Sequence, residues 1–320
     1  MDLKQLQYFI DVADALSFNR AAANIHVTQP ALSRQIHSLE QELGVLLFDR
    51  HGRGVSLTEA GRLLRERADS ILQLVAHVRD EVTARSDEPR GELVFGLPAP
   101  FRALIGGLTV AAYLQQYPAV RLRVLEAPIP TLRQMVLSGT ADFSVITSIE
   151  PSSQLRCRPL VSEGLFLVGS PAATDAGRAP IAAERLAGVP LVQFSAPNSL
   201  RALIERSAAR HGHVISCVLE VDGLDLMKEL VRLERGFCVL PYCAIHRELR
   251  DGLLAAVPIV DLTLQWVTIV SAERNMSAAA RRLHDTLADR VRALVMEGSW
   301  PTAVLDMTEQ RDFALPSHAG

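Results

Sequence analysis

Ser17-Phe18-Asn19-Arg20-Ala21-Ala22, leading to Thr28-Gln29-Pro30-Ala31-Leu32-Ser33-Arg34-Gln35-Ile36, is the stretch whose reading decides the N-terminal fold. Ser17 is a good helix cap, and Ala21, Ala22 and Ile25 follow at helical spacing. His26-Val27 makes a turn. Thr28 then caps a further helix, with Pro30 in its first turn, where a missing N–H costs nothing. Leu32, Ile36, Leu39 and Leu43 form the stripe that this helix buries. Upstream, Leu3, Leu6, Ile10 and Ala13 recur with the same period. Two short helices joined by a tight turn, the second opening on a cap, form a helix-turn-helix pattern.

Outward from that stretch, Val45-Leu46-Leu47-Phe48 and Val55-Ser56-Leu57 flank the basic tip Asp49-Arg50-His51-Gly52-Arg53-Gly54. Two apolar pieces around a glycine-containing tip read as a hairpin, or wing. From Thr58 a long helix is expected. Leu57, Gly61, Leu64, Ala68, Ile71, Val75, Val78 and Val82 fall at alternating steps of four and three, a heptad seam suited to pairing two helices. Arg85-Ser86-Asp87-Glu88-Pro89-Arg90-Gly91 then reads as a linker.

Beyond Glu92 strands and helices alternate. Strands are expected at 93–97, 122–125, 143–147, 165–168, 191–194, 218–221, 237–240 and 264–270. Helices are expected at 103–117, 131–137, 199–210, 224–235 and 278–295. Such alternation implies α/β layers with mainly parallel sheets, and about 200 residues fit two small lobes with a cleft between them. The tail after Gly298 has no clear periodicity and is expected to be frayed or packed irregularly.

With 320 residues and 48% hydrophobic content, the chain can bury about two cores without metal or disulfide. The net charge of −3 makes the whole molecule no trap for nucleic acid. Residues 20–67 hold seven arginines against five acids, a local balance of only +2, so placement must carry any DNA argument. Cys157, Cys217, Cys238 and Cys243 lack zinc spacing and read as reduced and mostly buried, with a redox-sensing pair as the alternative. The amphipathic N-terminus has no signal-peptide core, and no apolar run is long enough to span a membrane, so a cytoplasmic protein is expected.

Ser17–Ala22 and Thr28–Ile36, with Leu39-Glu40-Gln41-Glu42-Leu43-Gly44, Leu47-Phe48-Asp49-Arg50 and Leu57-Thr58-Glu59-Ala60-Gly61, resemble the signature of LysR-type transcriptional regulators. Gly236-Phe237-Cys238-Val239-Leu240-Pro241 extends the resemblance into the C-terminal half. Arg90–Leu93, Pro159–Gly169 and Asn275-Met276-Ser277 are similar to the branch containing the nitrogen-assimilation-control regulators. The chain departs from the family at Glu234, where Gly is common, and at Pro98 and Pro100, where many relatives carry Ser or Thr. The resemblance implies an all-α winged helix-turn-helix DNA-binding domain over residues 1–58. A coiled-coil linker helix and hinge would occupy 59–90. A two-lobe, periplasmic-binding-protein-like effector domain would occupy 91–298, and a tail 299–320. It also implies assembly to a dimer and then a tetramer.

On the helix opening at Thr28, Gln29, Ser33 and His37 share the face away from the apolar stripe, with Arg34 beside them. Gln pairs bidentately with adenine and Arg with guanine, and the N-terminal end of such a helix meets base edges. Thr28 and Pro30 belong to the leading turn, whose free N–H groups suit a phosphate. Arg50 and Arg53 flank the wing tip and suit phosphate or the minor groove. Arg53 is favoured, because its neighbouring glycines let backbone approach closely. Each of these residues could also be an ordinary solvated side chain.

Ligands of two-lobe α/β domains bind at strand C-terminal ends. The effector candidates are therefore Pro98, Ala99, Pro100 and Arg102; Thr147 and Ser148; Phe194, Ser195, Asn198 and Arg201; and Asp222 and Leu224. Arg102 and Arg201 could hold a carboxylate, so a small organic anion is expected. No cofactor or metal site is read, and catalytic signatures are missing. A solute-binding receptor, or a transferase or deaminase on the same lobes, remains as an alternative at this point.

Overall fold

The computed structural model describes residues 1–51, 54–83, 89–147, 152–174 and 179–305, which form an N-terminal head and a C-terminal α/β unit. The head runs α1 (Leu3–Ala15), α2 (Phe18–Asn24), α3 (Gln29–Leu43), β1 (Phe48–His51), β2 (Gly54–Leu57) and α4 (Glu59–Thr83). Asp2 and Gln5 close a reciprocal capping box at the start of α1. The Ser17 side chain accepts from the Arg20 N–H at the start of α2, as its position foretells. Thr28 stands at the start of α3, but its side chain makes no capping bond, contrary to expectation. Gly44 ends α3 with φ +71°, a left-handed conformation that favours glycine.

Leu32, Ile36 and Leu39 have no exposed surface, whereas Leu43, expected in the same stripe, is 39% exposed. The three buried side chains pack with Phe9 of α1, Phe18 of α2 and Phe48 of β1, whose ring lies 5.3 Å from Phe9 and 5.7 Å from Phe18. Glu40, on α3, is also buried, and its carboxylate accepts the N–H groups of Leu47 (2.8 Å) and Phe48 (3.3 Å). That pair of bonds fixes where the wing leaves the helix, since a buried carboxylate must be satisfied. At Gly61 a Cβ would fall 2.1 Å from the Leu47 carbonyl oxygen, so only glycine lets α4 start this close to the chain entering the wing.

The heptad seam divides. Gly61 and Ala68 are buried and Leu64 and Ile71 partly so, the last three packing on the head's own core. Among the described residues of α4, the large apolar side chains that are exposed are Leu63, Leu74 and Val78. A period of 3.5 marks a face without saying what covers it, and over its first half this face is covered by the same chain. The side chain of Val82 lies outside the described residues.

The C-terminal unit opens with β3 (Gly91–Leu97), α5 (Ala99–Phe101), a π turn (Arg102–Gly106), α6 (Gly107–Gln116), β4 (Val120–Glu126), α7 (Ile129–Ser138) and β5 (Phe143–Thr147). Then come β6 (Leu155–Gly169), a 3-10 turn (Ala183–Leu186), β7 (Leu191–Gln193), α8 (Ser199–Arg210), β8 (Cys217–Glu220), α9 (Leu224–Arg232), β9 (Cys238–Pro241) and α10 (Tyr242–Arg250). It closes with β10 (Ala255–Ser271), α11 (Ala278–Met296) and β11 (Ala303–Leu305).

The large sheet has the order β11-β6-β10-β5-β3-β4, with β9 also on β6, and β7 pairs β8 in a second, two-stranded sheet. β3 is parallel to β4 and β5, and β7 to β8. β6 and β10 are antiparallel to each other, β6 also to β9 and β11 and β10 also to β5, so the sheets are mixed rather than mainly parallel. The reason is topological. β6 carries the chain from the β3–β5 lobe into the β7–β9 lobe, and β10 carries it back, so the two crossings must oppose each other. The expected short strands at 165–168 and 264–270 are parts of these 15- and 17-residue strands. The start of the tail is packed too: Trp300 is 1% exposed and β11 pairs with β6.

Candidate nucleic-acid interface and effector cleft

In the head, α3 presents Arg34 and His37 to solvent, with Gln29 and Ser33 half-buried on the same side. Thr28 and Pro30 are exposed at its N-terminal end. With no capping bond from the Thr28 side chain, the dipole at that end is left without its usual cap. The helix thus places two side chains able to pair bidentately with bases, and an anion-attracting end, on one polar surface. In the wing, β1 pairs antiparallel with β2, Phe48 opposite Leu57 and His51 opposite Gly54. His51 Nε2 lies 2.9 Å from Ser56 Oγ across it. Arg53 and the Arg50 side chain lie outside the described residues.

The cleft side of the α/β unit is built differently from the sequence expectation. Pro98 is buried and stands at the N-cap of α5. Ala99 and Pro100 are half-buried behind it. Arg102 pairs with Glu126 at the end of β4, both side chains well exposed at 39% and 45%. Thr147 is buried, and its hydroxyl donates to Ser199 Oγ at 2.9 Å, joining the end of β5 in one lobe to the start of α8 in the other. Ser199 lies within the candidate stretch 194–201 but was not singled out, because nothing in its spacing reveals a partner 52 residues away. Ser148 lies outside the described residues.

Asn198 caps α8, accepting from Leu200 N (2.9 Å) and Arg201 N (3.2 Å). Asp222 accepts from Ser195 N at 3.2 Å. Leu224 is only 6% exposed and belongs to the core. Arg201 donates to Glu205 (2.7 Å), Glu220 (2.6 Å) and the Phe194 carbonyl (3.1 Å). The Glu205 and Glu220 carboxylates push its pKa above the ordinary arginine range. Its guanidinium therefore ties together α8, β8 and the end of β7, and is only 16% exposed. Leu224 was selected for its place at a strand end, but an apolar residue opening a helix is more easily buried than left at a cleft wall. The structure brings Ala99, Pro100, Arg102, Phe194 and Ser195 to partly accessible positions at the strand ends, while Asn198, Arg201 and Asp222 hold the loops in shape.

Glu234, where the family commonly has Gly, has φ +62°, and its carboxylate accepts from Ser170 Oγ at 3.1 Å. The backbone there needs the left-handed conformation whichever residue supplies it. Among the described residues, no group of His, Cys, Asp or Glu is placed to hold a metal ion, and no helix is long and apolar enough to cross a membrane.

A family model described as LysR substrate binding domain matches residues 86–292, and one described as bacterial regulatory helix-turn-helix protein, lysR family, matches residues 3–62. The HTH-type transcriptional regulator BbuR of Bordetella bronchiseptica is 31% identical over 303 residues, covering 94% of this chain and 93% of its own. The nitrogen assimilation regulatory protein nac of Klebsiella aerogenes is 26% identical over 294 residues, covering 91% and 95%. That value is below the identity to BbuR, so similarity does not single out the nitrogen-assimilation branch. The full-length LysR-family regulator CbnR, solved with its target DNA, superimposes with a TM-score of 0.69 at 22% identity, covering 92% of this chain and 99% of that one, which shows a shared fold. The chain belongs to the LysR family: it is a DNA-binding transcriptional regulator modulated by an effector, and not an enzyme.

Proposed function

We propose that α3 is the base-reading element, with Gln29, Ser33 and Arg34 meeting base edges, His37 at the margin, and Arg50 and Arg53 of the wing on the phosphate backbone. The observation that carries this is the division of α3: Leu32, Ile36 and Leu39 fully buried on one side, Arg34 and His37 open on the other. Binding to single-base variants of the DNA upstream of the gene, at two salt concentrations, tests it. Gln29→Ala or Arg34→Ala should lose about 1–3 kcal/mol of discrimination at one base position. Arg53→Ala should weaken binding to all sequences alike and flatten the salt dependence. Unchanged base preference in both Gln29→Ala and Arg34→Ala would sink the assignment of α3.

The exposed half of the α4 face pairs two chains into a dimer, and effector domains join dimers into a tetramer in the cytoplasm. The effector is a small organic anion received between the lobes near Ala99, Pro100 and Phe194. Of the two arginines, Arg102 suits it better. An exposed pair such as Arg102–Glu126 is worth at most about 1 kcal/mol and can exchange Glu126 for a ligand carboxylate. Arg201, with three acceptors already in place, cannot exchange so easily.

A further inference from the structure

The chain has two tryptophans, Trp266 and Trp300, and both donate their indole N–H to one carboxylate. Trp266 Nε1 lies 2.5 Å from Glu163 Oε1, and Trp300 Nε1 lies 2.8 Å from Oε2. The Cys243 backbone N–H donates to Oε2 as well, at 3.2 Å. Glu163 and both indoles are 1% exposed. Three separate stretches of chain thus converge on one buried carboxylate. Burial pushes its pKa up, while the Cys243, Trp266 and Trp300 donors pull it down.

The place is the crossing between the lobes. Glu163 sits in β6 opposite Leu264 of β10. β6 begins pairing with β9 of the second lobe two residues later, at Leu165. β10 begins pairing with β5 of the first lobe at Trp266. The β10 register slips on both sides, between Ile259 and Thr263 and between Trp266 and Val267, and irregularities of this kind are where strands bend. Cys243 lies in the first turn of α10 of the second lobe. Trp300 comes from the C-terminal segment, whose β11 lies on β6 with Ala303 opposite Glu163. Phe101, in α5 directly after the cleft residues Pro98–Pro100, packs on both indoles, at 5.1 Å and 5.9 Å.

We propose that Glu163 is the positioning residue of the lobe hinge, and that residues 299–305 form a strap across it which couples the cleft loop at Phe101 to the angle between the lobes. The donors act together, because losing any one leaves a buried carboxylate lone pair unsatisfied and loosens the others. A ligand that moves the 98–100 loop shifts Phe101, and Phe101 cannot shift without disturbing the two indoles. The consequence for regulation rests on the proposed cleft; the hinge itself does not.

Amide hydrogen exchange on the full-length protein, with neither DNA nor effector present, tests the hinge separately from that cleft. Trp300→Phe keeps an aromatic ring near Phe101 while removing the indole N–H together with part of the ring system. Exchange at Cys243 and at residues 161–165 and 260–266 should rise at least tenfold, with β3, β4 and the head unchanged. Glu163→Gln should give the same pattern, and if that variant fails to fold, Trp300→Phe still decides. A uniform rise across the whole α/β unit would mean ordinary core packing and would overturn the proposal, as would unchanged exchange at the hinge.

Discussion

Gly61 shows how one atom can decide a local fold. In Gly61→Ala the new methyl must displace the Leu47 carbonyl, which belongs to backbone and cannot rotate away. The head should lose about 3 kcal/mol, the upper end of overpacking. Urea denaturation followed by circular dichroism measures it, and a loss within about 0.5 kcal/mol of zero would show that the helix start can shift freely. The two candidate arginines differ for an equally local reason. Arg201→Ala removes the donor shared by Glu205, Glu220 and Phe194, so the melting temperature of the α/β unit should fall. Arg102→Ala should leave that temperature nearly unchanged and abolish the thermal stabilisation given by any organic acid found to bind the wild type. If Arg201→Ala melts as wild type and loses the acid response instead, the two roles are reversed.

At the scale of elements, α4 has two different surroundings along one face. Ile71 packs on the head, whereas Leu74 and Val78 are 46% and 50% exposed. An aspartate at Ile71 should therefore unfold the head by burying an unpaired charge. Leu74→Asp with Val78→Asp should leave the head folded and prevent chain pairing. Light scattering and circular dichroism separate the two outcomes. A double variant that keeps the wild-type mass would remove α4 from the dimer contact. β6 and β10 show why long strands escape a reading by apolar runs. Arg156, Arg158, Ser162 and Glu163 break the pattern of β6, and they are accommodated because this strand changes neighbours along its length.

For the whole molecule, His284 makes stability depend on pH. It is 2% exposed, and its Nε2 lies 3.1 Å from Thr268 Oγ1. Burial, with the Arg158 charge second, lowers its pKa from 6.5 to about 4. The unfolded chain therefore takes up this proton first as the solution is acidified. The stability held at neutral pH is complete above about pH 6.5 and declines as pH falls towards 4, by about 3 kcal/mol in total. The raised pKa of Glu163 acts in the opposite sense, so the comparison must be with a variant. Melting temperatures from pH 7.5 to 4.5 should fall more steeply in the wild type than in His284→Gln. Parallel curves would exclude His284 as the cause.

The helices of the head were legible in the sequence, because they are amphipathic and joined by short turns whose chemistry is local, although the Thr28 cap and the burial of Leu43 were not realised. The alternation of strands and helices beyond Glu92 revealed the α/β class for the same reason. Tertiary structure alone decided what each exposed-looking group meets. Arg201 is a strut because Glu220 arrives from β8, Ile71 is partly buried because the head's own core packs against it, and residues 303–305 form a strand because β6 offers an edge. The meeting of Trp266 and Trp300 on Glu163, 103 and 137 residues away, leaves no trace in spacing or period, since burying a carboxylate requires donors from wherever the fold can bring them.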